Sequence, residues 1–190
     1  MPILDHFGIL APFYDRFIGS TKTDIWRKVL DLPFEGLLLD AAGGTGRVAQ
    51  HVGCPACQVV VADASLQMMR EARKKPGLLA SATTIECLPF EDGSFERVLM
   101  VDALHHVVDQ RQTCLEMWRV LKTGGRLVIE EPDIETLFVK ALAVAEKLLL
   151  MRSHFLSPDE IAAIFAGLPA EISIVREGNI AWVVVEKMES

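Results

Sequence analysis

The sequence is short of basic residues, cysteines and long apolar runs, and each shortage argues against a class of protein. Its 190 residues contain 19 Lys and Arg against 26 Asp and Glu, a formal net charge of −7, so the basic surface that binds a nucleic-acid backbone is not expected. The longest uncharged stretch, residues 48–62, contains polar residues and a proline, which argues against a transmembrane helix. Four cysteines do not make a disulfide framework in a chain of this length, so a reducing cytoplasm is the expected location.

The sequence does contain ample material for one hydrophobic core. Hydrophobic residues make up 51% of the chain and charged residues 24%, and no internal repeat or flexible linker interrupts it. At about 150 residues per domain, this length predicts a single domain that spans residues 1–190.

Short apolar runs alternate along the chain with segments of helical spacing. The runs have the character of strands covered on both faces, and they lie at residues 36–39, 59–61, 98–101 and 127–129. Helices are predicted at residues 46–53 and 65–74, and from an N-cap at Asp109 to a stop at Gly124. This order predicts an α/β fold with a doubly wound, mostly parallel sheet.

The most informative segment is the glycine-rich turn Asp40-Ala41-Ala42-Gly43-Gly44-Thr45-Gly46. A buried strand runs into this turn and a helix follows it, so backbone N–H groups can approach a ligand where a Cβ would block the way. Asp63 closes the second strand, at the place where a carboxylate accepts hydrogen bonds from both ribose hydroxyls. The segment predicts a nucleoside site, and a turn that only reverses the chain is the alternative.

Two cofactor classes fit this turn. Gly44-x-Gly46-x-x-Ala49 matches the dinucleotide fingerprint of NAD-binding proteins. The longer pattern Asp40-x-Ala42-x-Gly44-x-Gly46 is close to the D/E-x-G-x-G-x-G loop of proteins that bind S-adenosylmethionine, with alanine for the first glycine. Asp40 favours the second class, because S-adenosylmethionine carries an ammonium and a sulfonium, whereas an acid repels the pyrophosphate of NAD.

Further motifs follow the turn in a fixed order: D-A-S-L-Q-M at residues 63–68, L-P-F at 88–90, S-F-E-R-V at 94–98, L-H-H at 104–106 and E-M-W-R-V-L-K-T-G-G at 116–125. With A-P-F-Y-D at residues 11–15, they resemble the motifs of class I S-adenosylmethionine-dependent methyltransferases. The branch that is most similar is the ubiquinone/menaquinone-biosynthesis type, methyltransferase type 11. The resemblance covers residues 36–132 and implies a Rossmann-like fold with a seven-stranded sheet.

The resemblance also implies which residues hold the cofactor. Asp40 and the glycines of the turn would hold its methionine end, Asp63 its ribose, and Met68 would pack on its adenine. The full set of implied cofactor-binding residues is Asp40, Ala41, Ala42, Gly43, Gly44, Thr45, Gly46, Asp63, Ala64, Ser65, Met68, Glu86, Cys87, Leu88 and Val101. The chain departs from the family pattern at Ala42, at Ala64, at Thr84, where an aspartate is usual, and at Glu96, which replaces an aspartate.

The acceptor pocket is less well marked. A histidine suits the general base that an acidic carbon or a phenol needs at neutral pH, and His106 is the candidate, with His105 structural; a structural role for both is equally compatible with the sequence. Tyr14, His105, His106 and Glu130 are the predicted pocket residues. Solvated acids at a strand end are the favoured interpretation of Glu130 and Glu131.

Four parts are expected along the chain. Residues 1–34 form an N-terminal helical cap, 35–132 the cofactor-binding core, 133–168 a helical acceptor-side region and 169–190 an antiparallel C-terminal hairpin. The apolar segment from Ile134 to Met151 has three interpretations: it lines the acceptor pocket, rests on a membrane surface without crossing it, or packs against the sheet.

The sequence thus predicts an enzyme that transfers a methyl group from S-adenosylmethionine to a small, apolar acceptor by in-line displacement and leaves S-adenosylhomocysteine. A small NAD(P)-binding oxidoreductase and a catalytically inactive nucleoside-binding partner subunit are the alternatives. His51, Cys54 and Cys57 have metal-like spacing, but no second ligand pair follows, so neither a metal site nor a redox role is expected there. The identity of the acceptor, the methylated atom and the oligomeric state have no readable sequence pattern.

Overall fold

A seven-stranded sheet is the centre of the structure, a computed structural model that describes residues 23–136, 139–140 and 154–189. In chain order the elements are α1 (Thr23–Val29), β1 (Gly36–Ala41), α2 (Arg47–Val52), β2 (Cys57–Asp63), α3 (Leu66–Ala72), β3 (Leu78–Ala82), β4 (Phe95–Val101), a 3-10 turn (Leu104–His106), α4 (Gln110–Val120), β5 (Leu121–Pro132), α5 (Pro158–Ile164), β6 (Ala170–Glu177) and β7 (Ile180–Lys187). The strand order is β3-β2-β1-β4-β5-β7-β6. β7 is antiparallel to both neighbours and the other pairs are parallel, which confirms the predicted fold class.

Most of the predicted elements are present, and one boundary is wrong. The four apolar runs lie in β1, β2, β4 and β5, and α2 and α3 lie within the helices predicted at residues 46–53 and 65–74. Asp109 caps α4 as predicted, because its side chain accepts the N–H of Gln112 at 2.8 Å. The helix ends at Val120 rather than at Gly124, because Leu121 already pairs with Phe95 of β4 as the first residue of β5.

Part of the predicted architecture lies outside the described residues. α1 falls inside the predicted cap of residues 1–34, but residues 1–22, with Tyr14 among them, are not described. Most of the apolar segment from Ile134 to Met151 is also outside. Within the ranges that the structure describes, no helix has the length and apolar character needed to cross a membrane.

Side chains of a strand alternate between the two faces of the sheet, so each face presents apolar side chains that helices cover. In β1, Leu39 packs into a cluster that contains residues of α4 and α5, whereas Leu38 packs into a cluster with α1, α2 and α3. Both leucines are fully buried. The parallel strands therefore end at one common edge, and the loops at this edge contain most of the predicted site residues.

A charged pair on α4 holds the segment that follows β3. Glu116 Oε2 accepts the N–H of Leu88 at 2.9 Å, and Arg119 donates to the carbonyl oxygens of Leu88 at 3.0 Å and Phe90 at 2.8 Å. Arg119 Nε also donates to Glu116 Oε1 at 2.9 Å, so the two side chains fix each other. The first and fourth residues of the E-M-W-R motif thus position the L-P-F segment.

The turn after β1 contains a residue that its backbone geometry does not favour. Ala42 has a φ of 57°, in the left-handed region, where an L-residue with a Cβ loses about 1–2 kcal/mol. Glycine adopts this conformation without that loss, which explains physically why the family pattern has glycine at this position. The alanine of this chain is accommodated at a cost in stability.

Substitution of Glu116 should release the L-P-F segment. We expect Glu116→Ala to lower the free energy of unfolding by about 1–3 kcal/mol, because the Leu88 amide and Arg119 lose a charged partner. Chemical denaturation measures the loss, and amide exchange should show faster exchange at Leu88. Glu71→Ala is the matched control: it removes an exposed pair with Lys74 and should cost less than about 0.5 kcal/mol. Equal losses in the two variants would contradict a positioning role for Glu116.

Ala42→Gly should stabilise the chain. We expect a gain of about 0.5–1 kcal/mol in the free energy of unfolding, since relief of the left-handed strain outweighs the added freedom of the unfolded chain. Ala41→Gly, one residue earlier at the end of β1 and fully buried, should instead destabilise by about 1–2 kcal/mol through lost packing and strand order. Denaturation curves of both variants check the opposite signs, and a destabilising Ala42→Gly would overturn the strain argument.

Candidate functional site

The site lies where the strand order reverses. β1 and β4 are neighbours in the sheet although β2 and β3 lie between them in the chain. In open α/β sheets, ligands bind outside the carboxyl ends of the strands at such a point. Asp63 ends β2, Val101 ends β4, and Asp40 and Glu130 lie close to the ends of β1 and β5. The sheet therefore brings these predicted site residues to one edge.

Asp63 fixes the glycine turn through its carboxylate. Its Oδ2 accepts the N–H of Gly44 at 3.0 Å and its Oδ1 accepts the N–H of Ser65 at 2.8 Å. Gly43 N–H donates to the carbonyl of Ala62 at 3.2 Å, which ties the turn to the end of β2 a second time. A carboxylate oxygen can accept more than one hydrogen bond. Half-buried, this side chain can meet a ligand as well as the turn.

Asp40 is a buried acid beneath the turn. It is 1% exposed, and neither carboxylate oxygen has a hydrogen-bond partner among the described residues. A Cβ on Gly43 would lie 2.4 Å from the Asp40 Cγ, so only glycine leaves room for this carboxyl. Burial raises the pKa of Asp40 to about 7; the Ala49 backbone N–H opposes the shift without reaching hydrogen-bond geometry, and the negative charge of Asp63 adds to it.

A buried carboxyl without a hydrogen-bond partner among the described residues suits a cationic ligand. An isolated carboxylate is costly to bury, and a nearby positive charge repays part of that cost. Gly44 has a φ of 55° and leaves space above the turn, since among the described residues the only heavy atom within 4 Å of a Cβ there would be Met68 Sδ at 3.7 Å. The residues present therefore fit the charge and the close backbone approach that the methionine end of S-adenosylmethionine requires.

The other predicted cofactor residues surround the turn at different depths. Ala64 and Cys87 are exposed, Ser65 and Glu86 are half-buried, and Met68 and Leu88 are buried. Ser65 caps α3 by accepting the N–H of Met68 at 3.4 Å, and Met68 is buried in the hydrophobic cluster that contains α1, α2 and α3. Glu86 Oε1 accepts the N–H of Val108 at 3.2 Å, which joins the segment after β3 to the segment after β4.

The predicted acceptor side contains a buried hydrogen bond between a histidine and an acid. His105 Nδ1 lies 2.5 Å from Glu131 Oε2, and the two residues are each 4% exposed. The interpretation of Glu131 as a solvated acid at a strand end is therefore wrong. Side chains on one face of a strand recur at every second residue, and Glu131 lies on the same face of β5 as the buried Leu127 and Ile129. This spacing is the sequence signal that could have indicated a buried position for Glu131.

Glu130 is also less solvated than predicted. Its Oε2 accepts the indole N–H of Trp182 at 2.6 Å. Burial raises its pKa to about 7, the Trp182 bond opposes the shift, and the charge of Asp102 adds to it. His106 is half-buried, with its ring centroid 3.9 Å from that of His105, so the two predicted histidines are adjacent.

The two closely spaced cysteines have structural contacts. Cys57 Sγ donates to the carbonyl of Cys54 at 3.2 Å, and Cys54 Sγ donates to the carbonyl of Phe34 at 3.2 Å. Burial raises the pKa of the Cys57 thiol to about 11, which disfavours the thiolate that redox chemistry needs. His51 donates from Nδ1 to the carbonyl of Arg47 at 2.8 Å. Across the described ranges, no group of three or more His, Cys, Asp and Glu side chains could hold a metal ion.

Glu96 and Thr84 are two departures from the family pattern that the structure places. Glu96 Oε2 accepts the N–H of Leu37 at 2.6 Å and its other oxygen pairs with Lys122, so it supports the start of β1, at the edge opposite the crevice. Thr84 is exposed in the segment after β3. The longer acid at position 96 is thus a structural feature and does not touch the site.

Comparison with known proteins identifies the family. The sequence pattern described as "Methyltransferase domain" matches residues 39–129. The chain is 35% identical over 133 residues to a demethylmenaquinone methyltransferase of Paenarthrobacter aurescens strain TC1, covering 66% of this chain and 53% of that protein. It is 32% identical over 203 residues to the ubiquinone/menaquinone biosynthesis C-methyltransferase UbiE of Geotalea uraniireducens strain Rf4, covering 87% of this chain and 86% of that protein. The chain thus spans about half the length of the first relative and most of the second.

Solved structures agree on the fold. The YcgJ protein of Bacillus subtilis has a TM-score of 0.75 at 18% identity, covering 88% of this chain and 98% of that one. A SAM-dependent methyltransferase of Aquifex aeolicus has a TM-score of 0.67 at 15% identity, covering 94% and 97%. At these identities the likeness concerns the fold, while the family rests on the sequence relatives. The prediction of S-adenosylmethionine rather than NAD(P) is confirmed. The chain belongs to the class I S-adenosylmethionine-dependent methyltransferases, in the branch of the ubiquinone/menaquinone biosynthesis C-methyltransferases.

Proposed function

We propose that this chain transfers a methyl group from S-adenosylmethionine to a carbon of a small apolar acceptor of the hydroquinone class. The observation that carries the proposal is the crevice at the end of β1, where the glycine turn is held by Asp63 above the buried Asp40. The acceptor class comes from the relatives, whose names specify demethylmenaquinone and ubiquinone/menaquinone biosynthesis. The predicted single domain and its four parts belong to the same proposal.

The cofactor-binding residues have separable roles. When bound, S-adenosylmethionine supplies an electrophilic methyl group on a sulfonium. Asp63 binds the ribose hydroxyls with the acceptor capacity left after its bonds to Gly44 and Ser65. Asp40 acts through its charge on the cationic methionine end, across the backbone of Gly43. The half-buried Glu86 and the neighbouring Leu88 border the adenine ring. Glu116 of α4 fixes this segment through the N–H of Leu88.

On the acceptor side, His106 accepts the proton that the acceptor loses. Removal of a proton from a ring hydroxyl raises the electron density of the neighbouring ring carbon, which then attacks the methyl group in line. The methyl group would leave with the electron pair of the C–S bond remaining on sulfur. The ring carbon would then release its proton to solvent, which restores aromaticity, and His106 would return the first proton to the ring oxygen, so that one proton is released in all. Glu130, which lies near the same edge, and Tyr14 complete the proposed pocket.

Methyl transfer tests the proposal directly. The full chain should transfer the labelled methyl of S-adenosylmethionine to 2-prenyl-1,4-naphthoquinone kept reduced with dithionite, and mass spectrometry should place the methyl on ring carbon. Asp63→Ala should weaken S-adenosylmethionine binding by about 1.5–3 kcal/mol, since a charge-assisted acceptor is lost. Asp63→Asn should weaken it less, because the amide oxygen can still accept one bond. Thr83→Ala is a matched control outside the proposed binding set.

Three outcomes would each contradict a part of the proposal. S-adenosylhomocysteine binding without transfer to hydroquinones, phenols or amines would identify a catalytically inactive partner subunit. Unchanged cofactor affinity in Asp63→Ala would remove the ribose assignment. Transfer to oxygen or nitrogen alone would keep the methyltransferase and replace the acceptor class.

The affinity for S-adenosylmethionine should depend on pH through Asp40. Its pKa is raised to about 7, so the carboxyl is largely neutral at pH 6 and largely ionised at pH 8. A cationic ligand stabilises the ionised form, so binding should tighten on the order of several-fold as the pH rises across this range and should release protons. Asp40→Asn should remove this component while the titration of the ligand's own amino group remains. Calorimetry in buffers of different ionisation enthalpy measures both the affinity and the number of protons released. Identical pH profiles for the starting chain and for Asp40→Asn would refute the role of Asp40.

A further inference from the structure

The carboxylate of Glu131 joins three donors of the segment that follows β4. Its Oε1 accepts the backbone N–H groups of Ala103 at 2.9 Å and Leu104 at 2.7 Å. Its Oε2 lies 2.5 Å from Nδ1 of His105. Such a carboxylate closes the N-terminal end of the 3-10 turn, whose first N–H groups have no partner within the turn. One side chain of β5 therefore fixes the backbone and a side chain of the turn.

The rigid sheet makes Glu131 a fixed point for these contacts. Glu131 lies opposite Ala181 in the ladder between β5 and β7, in the interior of the seven-stranded sheet. Because Oε1 is engaged by two N–H groups, Oε2 is the oxygen that meets His105, and it can only accept. Nδ1 of His105 therefore carries a proton, and the orientation of the imidazole ring is set.

The fixed imidazole in turn contacts both sides of the proposed acceptor region. Its ring stacks on Phe155 with centroids 4.4 Å apart and planes at 13°, and its centroid is 3.9 Å from that of His106. The carbonyl of His105 accepts the N–H of His154 at 2.9 Å. Gln110 Nε2 bridges the carbonyls of Leu104 at 3.0 Å and His154 at 2.6 Å. The turn is thus joined to the segment that leads into α5.

We propose that Glu131 is a positioning residue of the methyl-transfer site: it fixes the Leu104–His106 turn and the tautomer of His105, and thereby the place of His106. This inference rests on the proposed function for its kinetic part and on the contacts alone for its structural part. Glu131 is buried and belongs to neither the proposed cofactor-binding residues nor the proposed pocket, so its loss should change turnover rather than cofactor binding. From the sequence alone, Glu131 was interpreted only as a solvated acid next to Glu130.

Glu131→Gln tests the inference with little change in shape. The amide oxygen must face the two backbone N–H groups, so the amide NH2 faces Nδ1 of His105 and forces the ring proton to Nε2. Two-dimensional 15N NMR of histidine-labelled protein reads the tautomer, and the resonances that vanish in His105→Asn assign His105. We expect a change from Nδ1–H to Nε2–H, a fall in kcat of at least tenfold, a smaller change in the acceptor KM, and S-adenosylhomocysteine affinity within twofold of the starting chain.

A second pair of variants separates positioning from direct catalysis and remains informative if Glu131→Gln fails to fold. The amide of His105→Asn can donate to Glu131 as Nδ1 does, whereas His105→Leu cannot. We expect the asparagine variant to have at least tenfold higher kcat than the leucine variant. Equal loss in both would show that the imidazole itself is required, which would overturn the positioning role.

The remaining outcomes separate this inference from the proposed function. A starting chain that transfers no methyl to any acceptor refutes the proposed function, while the tautomer measurement still decides whether Glu131 holds His105. An unchanged Nδ1–H in Glu131→Gln refutes the structural part. A changed tautomer with unchanged kcat refutes the kinetic part.

Discussion

The packing of the Asp40 carboxyl against Gly43 is the constraint on which the crevice depends. The turn must pass directly over the side chain of Asp40, one residue before the end of the most central strand of the parallel part of the sheet, and a Cβ at Gly43 would collide with it. The next glycines then adopt left-handed conformations, and Asp63 accepts the amide of Gly44. The result is a backbone surface that a ligand can approach closely, above a buried acid, and this combination suits a cationic nucleoside ligand.

The loops around this turn are held by acids that lie on other elements. Glu116 of α4 accepts the amide of Leu88, and Glu131 of β5 accepts those of Ala103 and Leu104. In each case a helix or strand in the core fixes a loop through backbone donors, in addition to the contacts that the loop's own side chains make. This arrangement permits the exposed residues of these loops to vary while the crevice keeps its shape.

The glycine turn and Asp63 could be predicted from the sequence because the features that determine them are local. The apolar run of β1, the glycine cluster and Asp63 fall within residues 36–63, and each has a backbone or charge requirement that the residue type reveals. The predicted acceptor side depends instead on contacts between residues that are distant in the sequence. Glu131 and His105 are 26 positions apart, and no local sequence pattern shows that they are paired. The same reason explains the wrong helix end, since Leu121 leaves α4 to pair with Phe95, a partner that periodicity within the helix cannot show.

Burial gives two acids near the crevice raised pKa values. The pKa values of Asp40 and Glu130 are raised to about 7, burial is the largest cause in both, and the charge of Arg47 opposes the shift in both. Under the proposed function, a sulfonium bound above Asp40 would favour the ionised form of this carboxyl, whereas the neutral thioether left by methyl transfer would not. Asp40 would then contribute more to binding of the donor than to binding of the product, so the buried acid beneath the turn would oppose product retention without contacting the acceptor.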